Sequence, residues 1–112
     1  MQLPSAARAV VDPAKVRDYL LSPEHPIGRA KARFFTALGF RRAEWPALQA
    51  ALLAHGRHGD AAPVPSPYGR KFAVHGILEA PGGRQAAVVT VRIVLEGQES
   101  PRLVTAYPGG VP

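Results

Sequence analysis

The sequence predicts an α+β fold, in which about three N-terminal helices pack on a C-terminal antiparallel β-meander of three to four strands. Apolar residues recur at helical spacing in the first half of the 112-residue chain, whereas apolar and β-branched residues alternate or run together in the second half. A segment rich in proline and glycine, residues 57–69, separates the two halves as a predicted loop. Helices that precede strands, rather than alternate with them, are typical of α+β domains.

The first two helices carry start and stop signals in the sequence. Asp12 is a favourable N-cap and Pro13 suits the first helical turn, so the first helix is predicted to begin there. The second is predicted to run from about Pro26 to Leu38. It ends at Gly39, because glycine readily adopts the left-handed conformation that closes a helix.

The third helix is predicted to begin near residues 43–44, with Pro46 in its first turn. It is predicted to end near Gly56. The helical half of the chain therefore spans residues 12–56.

Three strands are predicted in the last third of the chain, with turns between them. The strands span residues 70–79, 84–95 and 102–107. Pro81-Gly82-Gly83 and residues 97–101 form the turns. The sheet half covers residues 70–108, and residues 1–11 are expected to add a short strand or arm.

The length and composition predict one domain, residues 1–112, because a chain of this size with 46% hydrophobic residues can bury one core. Cysteine is absent, so disulfides and thiolate chemistry are excluded. The four histidines are scattered without metal-ligand spacing. We therefore expect no metal site and no cofactor.

The formal net charge of +6 predicts a polyanionic partner such as RNA, since eleven of the fourteen basic residues are arginine, which forms forked contacts with phosphate. The alternative explanation of the positive charge is that a GC-rich genome enriches the chain in arginine and alanine, without a polyanionic partner. The chain has no apolar stretch of about 18 residues and no signal-peptide layout at its start. We therefore expect a cytoplasmic protein that does not interact with a membrane.

Alternation along the strands predicts which sheet face carries polar residues. The more apolar set of each strand, such as Val89 and Val91 in the second, is assigned to the helices. The opposite face then gathers His75, Thr90, Arg92, Thr105 and Tyr107. A surface that handles phosphate needs such a set of hydroxyl and basic groups. The alternative interpretation is that this face contacts solvent and is polar only for solubility.

Lys31 falls within the predicted apolar stripe of the second helix. Helical spacing puts it among Ile27, Ala30, Phe34 and Leu38. A buried ammonium without a partner is costly, so Lys31 either reaches past the core edge to water or points into a cleft to meet an anion.

The segment around Lys31 favours the cleft, because residues 25–42 carry five basic residues and no acid. Among them, Arg29 and Arg33 are candidate substrate-binding residues. His75 and Thr90 are further candidates of the same kind.

Metal-free RNA cleavage needs a proton acceptor for the 2′-hydroxyl, cations for the developing phosphate charge and an acid for the leaving 5′-oxygen. His25, Lys31 and Arg92 match these needs, with Thr105, Tyr107 or His75 assisting. Each has another interpretation. In particular, His25 could cap a helix or pair with Glu24, Arg92 could pair across strands with Glu79, and Tyr107 could pack at the sheet edge.

Four sequence segments carry a resemblance to a known family. They are Arg8-Ala9-Val10-Val11-Asp12, Asp18-Tyr19, His25-Pro26-x-Gly28-Arg29-x-Lys31-Ala32, and Arg102-Leu103-Val104-Thr105-Ala106-Tyr107-Pro108. The chain resembles an uncharacterised bacterial domain family found as small free-standing proteins and at the C-terminal tips of polymorphic toxins.

The chain also has a helix-borne His and Lys, followed by a strand arginine and a final strand that reads Thr-x-Tyr-Pro. This order is similar to that of the barnase, EndoU, colicin and RelE-like ribonuclease fold. This resemblance implies a site formed by His25, Lys31, Arg92, Thr105 and Tyr107 between the helices and the sheet. It also implies a neutralising partner, an acidic immunity or antitoxin protein.

The sequence therefore predicts a metal-independent endoribonuclease-like toxin domain that cleaves RNA by transesterification. The alternative is a non-enzymatic module that binds nucleic acid or a protein, as in a toxin–antitoxin pair. A third interpretation is a structural domain whose cationic face only maintains solubility.

Overall fold

The computed structural model describes residues 1–109 and confirms the α+β prediction, with three helices that precede a four-stranded antiparallel sheet. The helices are α1 (Pro13–Lys15, continued by a π-helical turn, Val16–Leu20), α2 (Arg29–Leu38) and α3 (Trp45–His58). The strands are β1 (Asp60–Val64), β2 (Gly69–Glu79), β3 (Gln85–Leu95) and β4 (Arg102–Pro108). They lie in the order β1-β2-β3-β4, so each strand pairs with its neighbour in sequence.

Local sequence signals account for the helix ends. The Asp12 carboxylate accepts a hydrogen bond from the backbone N–H of Ala14 at 2.9 Å and caps α1, as predicted. Gly39 ends α2 with a φ of 117°, a left-handed conformation that suits glycine. α2 begins at Arg29 rather than at Pro26.

The first strand of the sheet lies in the segment that the sequence predicts to be a loop. Asp60–Val64 pairs antiparallel with β2, with Pro63 opposite Phe72. Proline is tolerated there because β1 is an edge strand and no further strand needs its missing N–H. The prediction of a loop over the whole of residues 57–69 is wrong, because a short strand forms within this segment despite its prolines.

The N-terminal arm runs beside the other edge of the sheet. Val10 and Arg102 form a parallel bridge, in which the Val10 N–H donates to Pro101 at 2.8 Å and the Leu103 N–H donates to Val10 at 3.0 Å. Near the start of the chain, the Ala61 N–H of β1 donates to the Met1 carbonyl at 2.7 Å. The arm thus contacts both edge strands.

The strand register overturns the predicted faces of β3. Val74 of β2 pairs with Thr90, and Phe72 pairs with Arg92, so Thr90 and Arg92 lie on the same face as these buried residues. Both Thr90 and Arg92 are fully buried. The prediction that they lie on the outer face is wrong, because both alternating sets of β3 contain valine or isoleucine and only the pairing with β2 selects the inner set.

The main core lies between the helices and the inner face of the sheet. Its buried residues include Val16, Leu20, Phe35, Phe40, Leu48, Leu52, Leu78, Val88 and Ala106. The predicted stripe of α2 is partly wrong, because Ile27 is 67% exposed and the buried residues of the helix are Ala32 and Phe35.

Candidate functional site

An open groove lies beside the first helix, the residues before α2 and the edge strand β4. Its volume is about 650 Å³, and Tyr19 lies within it, so we call it the Tyr19 groove. Its lining residues are Asp12, Ala14, Lys15, Asp18, Tyr19, His25, Ile27, Val104 and Thr105.

Tyr19 connects the parts of this groove. Its hydroxyl is hydrogen-bonded to Oγ1 of Thr105 on β4 at 3.0 Å. The Nζ atoms of Lys15 and Lys31 lie 5.3 and 5.8 Å from the centroid of the ring, within the range of cation–π contacts. A half-buried phenol therefore has two ammonium groups near its ring and a second hydroxyl hydrogen-bonded to its own.

His25 lines the groove and caps the turn of residues 26–28 that leads into α2. Its Nδ1 accepts hydrogen bonds from the backbone N–H groups of Ile27 and Gly28, both at 3.0 Å. The ring also packs edge-on against Tyr19, with centroids 5.0 Å apart. Because Nδ1 is the acceptor, the neutral ring carries its proton on Nε2.

Gly28 holds the start of α2 against Tyr19. A Cβ at Gly28 would fall on the carbonyl oxygen of Tyr19 and 2.9 Å from the carbonyl carbon. The φ of Gly28 is −76°, an ordinary helical value, so glycine is needed here for close approach and not for conformational freedom.

The structure brings together His25, Lys31 and Thr105 of the five predicted catalytic residues. Tyr107 does not lie with them: it pairs with Val89 of β3 and is 39% exposed. His75 also pairs with Val89, from β2, and so shares the outer face of the sheet with Tyr107.

The other two predicted substrate-binding residues, Arg29 and Arg33, line a second groove. Its volume is about 850 Å³, and four of its lining residues are arginines, so we call it the arginine groove. The lining residues are Leu21, Pro23, Arg29, Ala32, Arg33, Thr36, Ala37, Arg41 and Arg42. Arg29 and Arg33 lie on one side of α2 and Lys31 on the other, because helical neighbours are three or four residues apart.

Arg92 belongs to a buried polar cluster and not to either groove. Its Nε–H donates to Thr90 Oγ1 at 3.1 Å, and its Nη2–H donates to the Leu52 carbonyl at 2.7 Å. Among residues 1–109, Nη1 has no hydrogen-bond partner. Burial lowers the pKa of Arg92 to about 10. The alternative pairing with Glu79 is wrong, because Glu79 accepts instead from Gln85 at 2.9 Å.

His55 completes this cluster as a buried, neutral imidazole. Its Nε2–H donates to the Val88 carbonyl at 2.8 Å, and the Thr90 hydroxyl donates to Nδ1 at 3.3 Å. Burial lowers the pKa of His55, and the nearby Arg92 charge lowers it further.

This burial predicts that acid destabilises the fold through His55. The unfolded chain takes up a proton near the ordinary histidine pKa of 6.5, whereas folded His55 resists protonation until a lower pH. The free energy of unfolding is therefore expected to fall as the pH drops below about 6.5. Urea denaturation across this range is the measurement.

Histidine-to-glutamine variants on α3 provide the control for this acid effect. We expect His55→Gln to weaken the pH dependence of the unfolding free energy, and His58→Gln, at an exposed position of the same helix, to retain it. Equal slopes in the wild type and His55→Gln would contradict the assignment to His55.

Metal ligands and membrane spans are absent from the part of the chain that the structure describes. Residues 1–109 bring no three His, Asp or Glu side chains into a common ligand set. Over the same range, no helix has both the length and the hydropathy to cross a bilayer.

Sequence reasoning missed Tyr19 as the centre of the site, together with Lys15 and Asp12 in its lining. One signal was available. Lys15 and Tyr19 are four residues apart, a spacing that brings an ammonium over an aromatic ring when the segment is helical. The contact between Tyr19 and Thr105 joins positions 86 residues apart and leaves no local trace in the sequence.

The chain is similar in sequence to a family of protein domains and in fold to a solved structure. A family model described as "Domain of unknown function (DUF6883)" matches residues 2–110. No curated protein matches the chain. Among solved structures, a chain of a contact-dependent growth inhibition toxin–immunity protein complex from Klebsiella pneumoniae 342 is similar, with a TM-score of 0.67 and 20% identity. The match covers 95% of this chain and 97% of that chain, and it shows a shared fold.

Proposed function

This chain belongs to the family described as a domain of unknown function, DUF6883, and within it we propose a toxin-related module that cleaves RNA without a metal at the Tyr19 groove. One observation carries the proposal. Lys31 of α2, His25 before it and Thr105 of β4 each contact the phenol of Tyr19, which lines an open groove. The similar fold in a toxin–immunity protein complex supports the toxin-related part.

The proposed reaction is transesterification at an RNA phosphate. The 2′-oxygen attacks the adjacent phosphorus and forms a cyclic phosphate, while the bond from phosphorus to the 5′-oxygen breaks. The 2′-hydroxyl loses a proton and the leaving 5′-oxygen gains one, so the step needs one acceptor, one donor and cations near the phosphate.

The cations in this proposal are Lys15 and Lys31, whose ammonium groups lie near the ring of Tyr19. They attract the phosphate and stabilise the negative charge that develops on its oxygens. The Nε2–H of His25 adds a neutral donor for one of these oxygens, since its Nδ1 is occupied by backbone N–H groups. In this role His25 positions the phosphate and does not accept the proton.

The proton transfers fall to an aspartate and to Tyr19. Asp12 lines the groove, and only its Oδ1 is engaged within residues 1–109, by the Ala14 N–H, so Asp12 can accept the 2′-hydroxyl proton. Asp18 is less suitable, because hydrogen bonds from Arg17 and the charge of Arg42 lower its pKa. The Tyr19 hydroxyl donates to the 5′-oxygen, and both groups then exchange protons with water.

Incubation of the full chain with total RNA and transfer RNA in excess EDTA tests this function. We expect the wild type to produce 2′,3′-cyclic-phosphate ends. Tyr19→Phe is expected to slow cleavage by about 10²-fold or more, because it removes a proton donor and keeps the ring. Lys31→Ala is also expected to reduce the rate.

Matched variants outside the Tyr19 groove test whether a loss of cleavage is specific to the groove. Tyr68→Phe alters a tyrosine that is 75% exposed in a loop, and Lys71→Ala removes a lysine from β2. Both are expected to retain wild-type cleavage. Equal rates in Tyr19→Phe and Tyr68→Phe would contradict the proposed role of Tyr19, and a folded wild type without cleavage would contradict the ribonuclease function.

A second candidate function is RNA binding without cleavage at the same groove. The observation that favours it is the capping role of His25, whose Nδ1 lone pair is already used by Ile27 and Gly28. In that case Lys15 and Lys31 bind phosphate, and RNA binding shows a steep salt dependence while no cyclic-phosphate ends form.

A neutralising protein is part of the proposal. The similar fold occurs in a complex whose members are a toxin and an immunity protein. The net charge of +6 favours an acidic partner for this chain, an immunity or antitoxin protein.

A further inference from the structure

The arginine groove combines a concentrated positive charge with an apolar floor. Arg29 and Arg33 reach it from α2, and Arg41 and Arg42 reach it from the turn before α3. Its floor includes Leu21 and Ala32, which are almost fully buried. None of the side chains that line the groove is acidic.

Two of the four arginines are uncompensated. Arg41 lies 3.6 Å from Glu44 in an exposed ion pair, and Arg42 lies 3.4 Å from Asp18. Within residues 1–109, Arg29 and Arg33 make no ion pair and no side-chain hydrogen bond. They are four residues apart, so their guanidinium groups project from adjacent turns of the same helix side.

We propose that the arginine groove binds an acidic, amphipathic segment of a partner protein. Guanidinium groups form forked hydrogen bonds with carboxylates, and the floor between them accepts small apolar side chains. The groove has no aromatic residue in its lining, so it lacks the stacking surface that single-stranded nucleic acids use. Carboxylates that flank an apolar side chain match both features of the groove.

The arginine groove and the Tyr19 groove are adjacent but separate. The ion pair between Arg42 and Asp18 lies where they meet, because Arg42 lines the first groove and Asp18 lines the second. A segment bound between Arg29 and Arg33 therefore does not need to contact Tyr19. The inference extends the proposed acidic partner and is independent of RNA cleavage.

Fluorescence anisotropy with a synthetic probe tests this binding site. The probe is a labelled helical peptide in which glutamates lie four residues apart and flank leucines. We expect it to bind the full chain. We expect the double variant Arg29→Gln/Arg33→Gln to lose about tenfold or more in affinity, because the loss of even one charged hydrogen bond is worth about a factor of ten. Tyr19→Phe is expected to bind the peptide like the wild type.

Two comparisons control for general electrostatic attraction. Arg57→Gln/Arg70→Gln removes the same charge from exposed arginines on α3 and β2, and it is expected to retain the affinity. Polyglutamate of equal charge is expected to bind more weakly than the amphipathic peptide, because it cannot use the apolar floor.

Several results would overturn the inference. Absence of peptide binding to the folded wild type, or equal losses in the two double variants, would do so. So would an RNA oligonucleotide of equal charge that binds more tightly and depends more strongly on Arg29 and Arg33. Loss of RNA cleavage in Tyr19→Phe with unchanged peptide binding would separate the two proposals, since each depends on a different groove.

Discussion

Gly28→Ala is expected to lower the free energy of unfolding by about 3 kcal/mol or more and to abolish function at the Tyr19 groove. The new methyl group would overlap the carbonyl of Tyr19, and backbone atoms cannot move aside as a flexible side chain can. Either Tyr19 shifts, which breaks its contact with Thr105, or α2 moves away from the first helix.

Gly97→Ala is the matched control for this substitution. Gly97 has a φ of 79°, and no atom lies within 4 Å of the point that an alanine methyl group would occupy. Alanine there adds backbone strain of about 1–2 kcal/mol without a clash. Gly28 has the opposite properties, with ordinary backbone and a severe clash.

Urea denaturation followed by the fluorescence of Trp45, the single tryptophan, measures both variants. We expect Gly28→Ala to lose more stability than Gly97→Ala. A smaller loss at Gly28 would show that α2 and Tyr19 can separate without cost, and it would contradict the close packing of the groove.

Arg92→Met is expected to leave the free energy of unfolding unchanged or to raise it by about 1–2 kcal/mol, whereas Arg92→Ala is expected to lower it by about 2–5 kcal/mol. Methionine replaces much of the buried volume and removes a charge that has no acidic partner. Thr90 can still donate to His55, and Leu52 lies within α3, where its carbonyl has a helical partner. Alanine leaves a cavity.

The pH dependence of unfolding provides a second measurement for Arg92. Because the Arg92 charge helps to lower the pKa of His55, Arg92→Met is expected to reduce the acid destabilisation without removing it. Burial, the larger cause, remains in this variant. If Arg92→Met is as unstable as Arg92→Ala, the guanidinium stabilises the core by its hydrogen bonds, contrary to this expectation.

The parts of the fold that could be predicted depend on local chemistry. Asp12 caps the first helix because its carboxylate reaches an N–H two residues away, and Gly39 ends the second because a single residue must adopt a positive φ. β1 was not predicted, since Pro63 is acceptable only in an edge strand, where no neighbouring strand needs its missing N–H. Whether a strand lies at an edge is a property of the whole sheet.

The candidate site also contains residues that could be predicted from the sequence and residues that could not. His25 and Lys31 lie in one short basic segment, so the sequence could place both near the start of α2, but only their separate contacts with Tyr19 bring them to one site. Thr105 joins them only because β4 lies at the sheet edge beside the first helix, which brings its hydroxyl to Tyr19.

By itself, the sequence determined the α+β class, the order of helices and strands, and the concentration of basic residues around α2, because these depend on periodicity, capping and composition. Only the tertiary structure decided that Arg92 lies in the core, that Arg29 and Arg33 line a separate groove, and that Tyr19 is the centre of the candidate site. The physical reason is that strand register and helix docking depend on contacts between distant residues, and a shift of one residue in β3 would exchange its two faces.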